Sequence, residues 1–182
     1  MKSLMFLSCS LRPDDVAEVN EYFSHISKLY NLELKTINIP GLSEKEVIEL
    51  LNETIPKVDG IVVLWVPRYP INGALPSMWT IVESAIGIAK DKPVYVFYEQ
   101  GVSLEGPLKA IGKVQVEFNR WYFNHPQEHN RLSEWIHWIK EDIERKKMED
   151  AGRGIRTAIG TGIIALIIFG LGFFAGRTSK ND

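Results

Sequence analysis

The sequence predicts an α/β protein, a three-layer sandwich with a five-stranded parallel sheet, followed by one C-terminal transmembrane helix. Apolar segments that do not alternate with polar residues are typical of strands covered on both faces. Such segments alternate here with amphipathic helical segments, which favours a parallel sheet. Near the C-terminus, a long run without charge is typical of a membrane-spanning helix.

Five strands and four helices are predicted along the chain. The strand segments are Ser3–Ser8, Leu32–Ile37, Asp59–Val66, Pro93–Tyr98 and Lys113–Phe118. The helical segments are Asp14–Tyr30, a segment that opens with the capping box Ser43–Glu46, Ser77–Lys90, and 124–148. Because the connections between strands are helical crossovers, we expect the strand order 2-1-3-4-5, the flavodoxin-like arrangement.

The third helix carries the most informative residues of the chain. Its apolar stripe is predicted to consist of Met78, Val82, Ala85 and Ala89. Trp79 and Glu83, four residues apart, fall together outside this stripe. The pattern therefore predicts that an aromatic ring and a carboxylate share a ledge beyond the sheet edge, where open α/β folds bind ligands.

The C-terminal segment has the length and composition of a membrane helix. Residues 158–176 contain no charged side chain, and a helix of that length spans roughly 28 Å, close to the hydrocarbon thickness of a bilayer. More lysines and arginines precede the run than follow it, which predicts that the N-terminal domain is cytoplasmic. The predicted organisation is a domain over 1–148, a linker over 149–156, a transmembrane helix over 157–176 and a tail over 177–182. Within the linker, Ala151–Gly154 is predicted to interrupt the helix. Recurring small residues in the run favour self-association, so we expect a homo-oligomer.

Composition and motif spacing argue against several classes of function. The formal net charge of −2 provides no basic field, so nucleic acid is not a predicted partner. Cys9 is the single cysteine, which excludes an intramolecular disulfide and indicates a reducing compartment. The segment His125–His129 spells H-x-x-E-H, but Pro126 at the first helical position leaves His125 outside the regular turn, so we expect no metal site.

Chemically useful side chains follow the ends of three predicted strands, and these ends meet at one edge of the sheet. The candidate substrate-binding residues are Ser8, Ser10, Arg12, Trp65, Arg68, Tyr69, Trp79 and Glu99, and the candidate catalytic residue is Glu83. Aromatic rings can stack on a purine or nicotinamide, and arginines suit phosphates. A carboxylate beside a sugar can stabilise an oxocarbenium-like transition state or attack the anomeric carbon. The pattern therefore predicts cleavage of an N-glycosidic bond in a nucleotide.

Each of these residues also has a structural interpretation. Glu83 could be a solvated helix residue, and Trp65 and Trp79 could pack at the edge of the core. Arg12 and Arg68 could be ordinary surface charges. A cysteine directly after a strand is most often an inert buried thiol. The serines lack an evident His and Asp partner, which argues against a hydrolase triad.

The stretch Ile61–Phe97 resembles the Toll/interleukin-1 receptor (TIR) domain family. It contains Ser77-x-Trp79-x-x-x-Glu83 on a helix, then small residues, then Lys92-Pro93-Val94 at a strand start. The opening Phe6-Leu7-Ser8-Cys9-Ser10 is similar to the family's first strand and serine-containing loop. The family's usual acidic residue in the first strand and its Arg-Asp and Pro-Gly loop signature are missing here. The related nucleoside deoxyribosyltransferases share this fold and a glutamate in the same helix.

The resemblance implies NAD⁺ hydrolase activity in defence or stress signalling, with Glu83 as the catalytic glutamate and NAD⁺ as substrate rather than cofactor. It implies that Ser8 and Ser10 lie near the ribose and that Trp79 is largely a structural neighbour of the site. It also implies self-association, which a membrane anchor would promote by raising local concentration. Two other functions stay open, a non-catalytic module that senses a nucleotide or partner through its membrane helix, and nucleoside deoxyribosyl transfer.

Overall fold

The computed structural model describes residues 2–9, 13–37, 41–66, 78–102 and 112–175, and it describes side chains for 2–9, 17–37, 41–66, 79–102 and 112–152. The chain divides into two compact units, Met1–Ile143 and Glu144–Asp182. The sheet and the core described below belong to the first unit.

The first unit is built on a five-stranded parallel sheet. Its strands are β1 (Ser3–Cys9), β2 (Leu32–Lys35), β3 (Gly60–Trp65), β4 (Val94–Glu99) and β5 (Val114–Phe118). Their order is β2-β1-β3-β4-β5, and every neighbouring pair is parallel. The predicted strand order is therefore confirmed.

Besides the strands, the described residues form four α-helices and two 3₁₀ turns, and the last turn and the last helix follow β5. The helices are α1 (Pro13–Leu29), α2 (Glu44–Thr54), α3 (Met78–Ala89) and α4 (Pro126–Ala175), and the 3₁₀ turns are Ile55–Lys57 and Arg120–Tyr122. The predicted capping box is present: the Glu46 backbone N–H donates to Ser43 Oγ, and the Ser43 backbone N–H donates to the Glu46 carboxylate. These bonds satisfy amide groups that a helix start leaves without intrahelical partners.

The sheet separates two apolar clusters, as a three-layer sandwich requires. On one face, side chains of β1, β3 and β4 pack with α1 and α4; this cluster includes Met5, Leu7, Val62, Leu64, Tyr95, Phe97, Val19, Phe23, Ile26, Leu132, Ile136, Ile139 and Ile143. On the other face, the alternate side chains pack with α2 and α3; this cluster includes Phe6, Ile61, Val63, Val94, Val96, Leu51, Ile55 and Trp79. Side chains two residues apart in a strand thus share one face, which decides where each functional side chain lies.

A polar network centred on the buried Asp142 joins β4, the residue before β5 and α4. The Tyr95 hydroxyl donates to Asp142 Oδ2 at 2.7 Å, and Lys113 Nζ donates to Asp142 Oδ1 at 2.7 Å. Asp142 is only 2% exposed, so its charge requires these donors to offset the loss of water.

The orientation of α3 differs from the predicted one. The buried residues of α3 are Thr80, Ser84 and Gly87, whereas Ala85 and Ala89 of the predicted stripe are exposed and Ile88 is 47% exposed. A Cβ on Gly87 would lie 2.1 Å from Ile61 Cδ1, so α3 approaches β3 at a contact that glycine permits. Hydrophobic periodicity did not identify this face because α3 is apolar around most of its circumference, and close approach selects the small side chains.

The prediction of a transmembrane helix over 157–176 is contradicted. Within the part of the chain that the structure describes, no helix combines the length and the apolar character needed to cross a membrane. The described part of this segment instead continues α4, which extends without a break to Ala175. The predicted break at Ala151–Gly154 is also wrong, since a glycine costs a helix only about 1 kcal/mol relative to alanine and no proline follows here.

Candidate active site at the carboxyl edge

The end of β1 delivers two adjacent side chains to opposite faces of the sheet. In the register of β1 with β3, Ser8 lies opposite Val63 and Cys9 lies opposite Leu64. Cys9 packs against the cluster that α1 and α4 cover. Ser8 therefore belongs to the face that α2 and α3 cover, and it is fully buried there.

Glu83 reaches the same position from α3. The Ser8 hydroxyl donates a hydrogen bond to Glu83 Oε2. Because Glu83 lies one turn before Gly87, the close contact of α3 with β3 brings this carboxyl toward the end of β1. The structure therefore brings together Ser8 and Glu83, which are far apart in sequence and were both predicted site residues.

The Glu83 carboxyl is poised to change protonation near neutral pH. Burial raises the pKa of Glu83 from its ordinary value of 4.5 to about 7, and the hydrogen bond from Ser8 acts in the opposite direction. Burial disfavours the charged form, whereas a donor to the carboxylate favours it. Such an acid can act in its charged or neutral form under physiological conditions, which is typical of catalytic carboxyls.

Cys9 is next to Ser8 in β1 but lies on the opposite face of the sheet, as a neutral thiol. Burial raises the pKa of Cys9 to about 11, a hydrogen bond with the Asn20 side chain lowers it, and the charge of Glu83 raises it. A thiol that stays protonated is a poor nucleophile, so Cys9 contributes no thiolate to the site. Asn20 was not predicted as a site neighbour, since it lies within α1 and carries no motif.

The two tryptophans predicted to bind substrate, Trp65 and Trp79, pack against other side chains of the protein. Trp65 is 3% exposed and packs with Val102 and Tyr98. Trp79 is half-buried and packs against the cluster between the sheet and α2. Trp65 shares the face of Ser8, because Val63 is two residues earlier in β3 and opposite Ser8. It therefore lies on the same face of the sheet as Glu83.

Glu99 lies on the other face of the sheet from Glu83. In β4 it follows the alternation of Tyr95 and Phe97, which pack toward α1 and α4. Its carboxylate forms a bidentate ion pair with Arg120, with Nη2 to Oε2 at 2.5 Å. Glu99 is 7% exposed. The geometry thus separates Glu99 from the Glu83 position, and it shows a partner, Arg120, that no spacing in the sequence indicated.

The remaining predicted site residues, Ser10, Arg12, Arg68 and Tyr69, lie outside the described residues. Their assignment as substrate-binding residues stays a prediction.

The residues of the H-x-x-E-H segment make contacts to other protein groups. His129 Nδ1 lies 3.0 Å from the Tyr22 hydroxyl. The Glu128 carboxylate accepts hydrogen bonds from Arg131 and from the backbone N–H of Asn119. These contacts connect α1, the Arg120–Tyr122 turn and the start of α4.

Comparison with known proteins gives information about the fold. No protein-family model matches the chain, and no curated protein matches it in sequence. These comparisons lend no support to the TIR resemblance. Among solved structures, a diflavin flavoprotein A3 from Nostoc sp. is similar with a TM-score of 0.53 and 8% sequence identity, covering 82% of this chain and 99% of that one.

Two nucleoside-processing proteins are more distant. A Clostridium botulinum CMP N-glycosidase has a TM-score of 0.45 and 15% identity over 64% of this chain and 89% of its own. A 2-deoxyribosyltransferase from Bacillus psychrosaccharolyticus has a TM-score of 0.49 and 11% identity over 63% of this chain and 86% of its own. Similarity at this level carries no argument about function. The strand order and the flavoprotein similarity together show a flavodoxin-like α/β fold.

Proposed function

We propose that this protein is an enzyme that cleaves the N-glycosidic bond of a nucleotide, with NAD⁺ as the first candidate substrate and Glu83 as the catalytic carboxylate. The observation that carries the proposal is the position of Glu83, half-buried and bonded to Ser8 at the carboxyl edge of the sheet with its pKa raised to about 7. Ligands of open α/β folds bind at this edge.

The chemistry follows from the carboxylate. As the bond between the anomeric carbon and the base nitrogen breaks, its electron pair leaves with the base and positive charge develops on the sugar. Ionised Glu83 stabilises this charge or bonds to the anomeric carbon. Water then adds its hydroxyl to the anomeric carbon and releases a proton to solvent, which completes hydrolysis. A second nucleobase that adds through a ring nitrogen at the same step, and loses its N–H proton, would give glycosyl transfer. A partly desolvated carboxylate is a stronger partner for this charge than a solvated one.

A second candidate function is nucleotide binding without turnover. It is favoured by the same hydrogen bond, because a carboxyl that a buried serine holds can be a fixed structural acceptor. Binding that continues unchanged in Glu83→Gln, with no product formed by the unmodified protein, would support this alternative.

The experiment incubates the full chain with NAD⁺ at several protein concentrations and measures nicotinamide release by chromatography. We expect release that Glu83→Gln lowers by about 100-fold or more, the range lost when a positioned catalytic group is removed. The matched control is Glu141→Gln. The Glu141 side chain is 60% exposed and lies on α4, outside the strands and the helix α3 that form the candidate site. A rise in specific activity with concentration would support self-association.

Release that persists in Glu83→Gln would overturn the assigned role of Glu83. Base exchange between deoxynucleosides without action on NAD⁺ would instead support deoxyribosyl transfer by the same residue. The comparison with Glu141→Gln separates loss of a specific carboxyl from a general effect of removing a negative charge.

A further inference from the structure

We infer that Ser8 is a positioning residue for Glu83, whose hydroxyl holds one carboxylate oxygen and leaves the other to face the substrate. This inference rests on the proposed function and deepens it. It also revises the role that the family resemblance implied for Ser8, which was a position near the ribose.

Ser8 is placed so that its hydroxyl serves the protein and not a ligand. It is fully buried, and its strand lies between β2 and β3 in the sheet. The register with Val63 fixes its backbone, and strand alternation directs its side chain toward α3. A hydroxyl in such a position has little freedom to turn toward a substrate.

The hydrogen bond engages one oxygen of Glu83. Of the described side chains, Ser8 is the one that donates to this carboxyl, and it donates to Oε2. A carboxylate has two oxygens and about four acceptor sites, so a donor at Oε2 orients the group while Oε1 keeps its acceptor capacity. Fixing the direction of a reacting group is one of the larger sources of catalytic rate.

Among the residues that the structure describes, few other titratable groups come from the elements packed around Glu83. From β1, the adjacent Cys9 lies on the opposite face of the sheet, and its thiol is protonated at neutral pH because burial raises the pKa of Cys9 to about 11. From β4, Tyr98 shares the face of the sheet that α3 covers and packs with Trp65. The nearby residues of α2 and its 3₁₀ extension, Leu51 and Ile55, are apolar. Within the described residues, Ser8 is therefore the main group that favours ionised Glu83.

The test measures the ionisation of Glu83 directly, by NMR titration of protein carrying ¹³C-labelled glutamate side chains, with Glu83→Gln used to assign the signal. In Ser8→Ala we expect the Glu83 pKa to rise by about one unit. The reason is that the free energy of a hydrogen bond to a charged group corresponds to a pKa shift of about that size. The fraction of ionised Glu83 at neutral pH then falls several-fold. The rising limb of the pH profile of kcat/KM should shift to higher pH by the same number of pH units.

The matched control is Ser84→Ala. Ser84 is a buried serine adjacent to Glu83 in α3, but its hydroxyl donates to the Thr80 carbonyl oxygen of its own helix. We expect it to leave the Glu83 titration unchanged. Ser8→Cys retains nearly the same volume with a weaker donor, so it should raise the pKa in the same direction and provides the measurement if Ser8→Ala fails to fold.

The outcomes separate this inference from the proposed function. An unchanged Glu83 titration in both Ser8 variants would overturn the role of Ser8, whatever the activity. A raised pKa in a protein that cleaves no nucleotide would support the Ser8–Glu83 coupling and overturn the proposed function. A raised pKa with a shifted kcat/KM profile would support both.

Discussion

At the scale of single residues, the site depends on two opposing effects on one carboxyl. Burial raises the pKa of Glu83 and the Ser8 hydroxyl lowers it, with burial the larger effect. A buried carboxyl that could not ionise would be inert, and a solvated one would interact weakly with developing positive charge. The combination keeps both protonation states accessible near neutral pH.

This balance predicts how Glu83 affects stability as pH changes. Glu83 has a higher pKa in the folded protein, about 7, than the ordinary 4.5 of an unfolded chain. Between those values the unfolded chain releases a proton that the folded protein retains, so the free energy of unfolding falls as pH rises and levels off above pH 7. The loss is at most about 3 kcal/mol, from 1.36 kcal/mol per pKa unit.

The prediction is tested with Glu83→Gln, which is neutral at every pH and can still accept from Ser8. Urea unfolding at about pH 8 should show the variant more stable than the unmodified protein, with the difference vanishing near pH 4. An equal difference at both pH values would contradict the raised pKa. Greater stability of an inactive variant would also show that its loss of activity does not come from unfolding.

At the scale of elements, the placement of α3 determines where Glu83 lies. The small buried residues Thr80, Ser84 and Gly87 let the helix approach β3. On the opposite face of the sheet, the ion pair of Glu99 with Arg120 joins the end of β4 to the 3₁₀ turn that precedes α4. The carboxyl edge is thus fixed by a close helix contact on one face and by a buried charge pair on the other.

A second prediction concerns the contact between α3 and β3. In Gly87→Ala, the new Cβ would overlap with Ile61, which is fully buried, so Ile61 or the helix must shift. We expect a loss of about 1–3 kcal/mol in the free energy of unfolding, as for other overpacked cores. We also expect lower nucleotide-cleaving activity, because Glu83 moves with the helix. Chemical denaturation and the nicotinamide-release assay measure the two effects.

The control for this substitution is Gly152→Ala in α4. A Cβ at Gly152 meets nothing within 4 Å, so the same chemical change there should be neutral or stabilising by up to about 1 kcal/mol. If both variants behave alike, the close approach of α3 to β3 does not determine the position of Glu83.

At the scale of the whole molecule, the core lies in the first compact unit. Among the residues whose side chains the structure describes, the buried apolar residues of both clusters extend along the chain no further than Ile143. All five strands belong to this unit. The predicted domain limit at residue 148 is close to this boundary and stays a prediction.

A third prediction follows from this distribution. A fragment of residues 1–148 should unfold in one cooperative urea transition, followed by circular dichroism, because it retains both clusters and the Tyr95–Asp142 hydrogen bond. The pKa of Glu83 in this fragment should equal the pKa of Glu83 in the full chain. A fragment that lacks a cooperative transition would show that residues beyond 148 contribute to folding of the sheet.

The sequence by itself determined the strand order and the capping box at Ser43, because these depend on local periodicity and on signals a few residues apart. It also placed Ser8 and Glu83 at the same edge, because parallel topology brings the ends of β1 and β3 together. The structure departs from the sequence inference where a segment is apolar on most faces. In such a segment, hydrophobic periodicity does not single out one face of the helix. For this reason the predicted inward face of α3 and the predicted separate helix at 157–176 are both wrong.

Only the tertiary structure decided which polar groups meet. The pairs Ser8 with Glu83 and Glu99 with Arg120 are distant in sequence. Successive side chains of β1 and β4 point to opposite faces of the sheet, so a shift of one residue would move each of these side chains to the other face. The raised pKa of Glu83 likewise results from burial between α3 and the sheet, which no local pattern records. Desolvation and hydrogen bonding depend on surroundings assembled from several elements, whereas strand and helix formation depends mainly on neighbours in the chain.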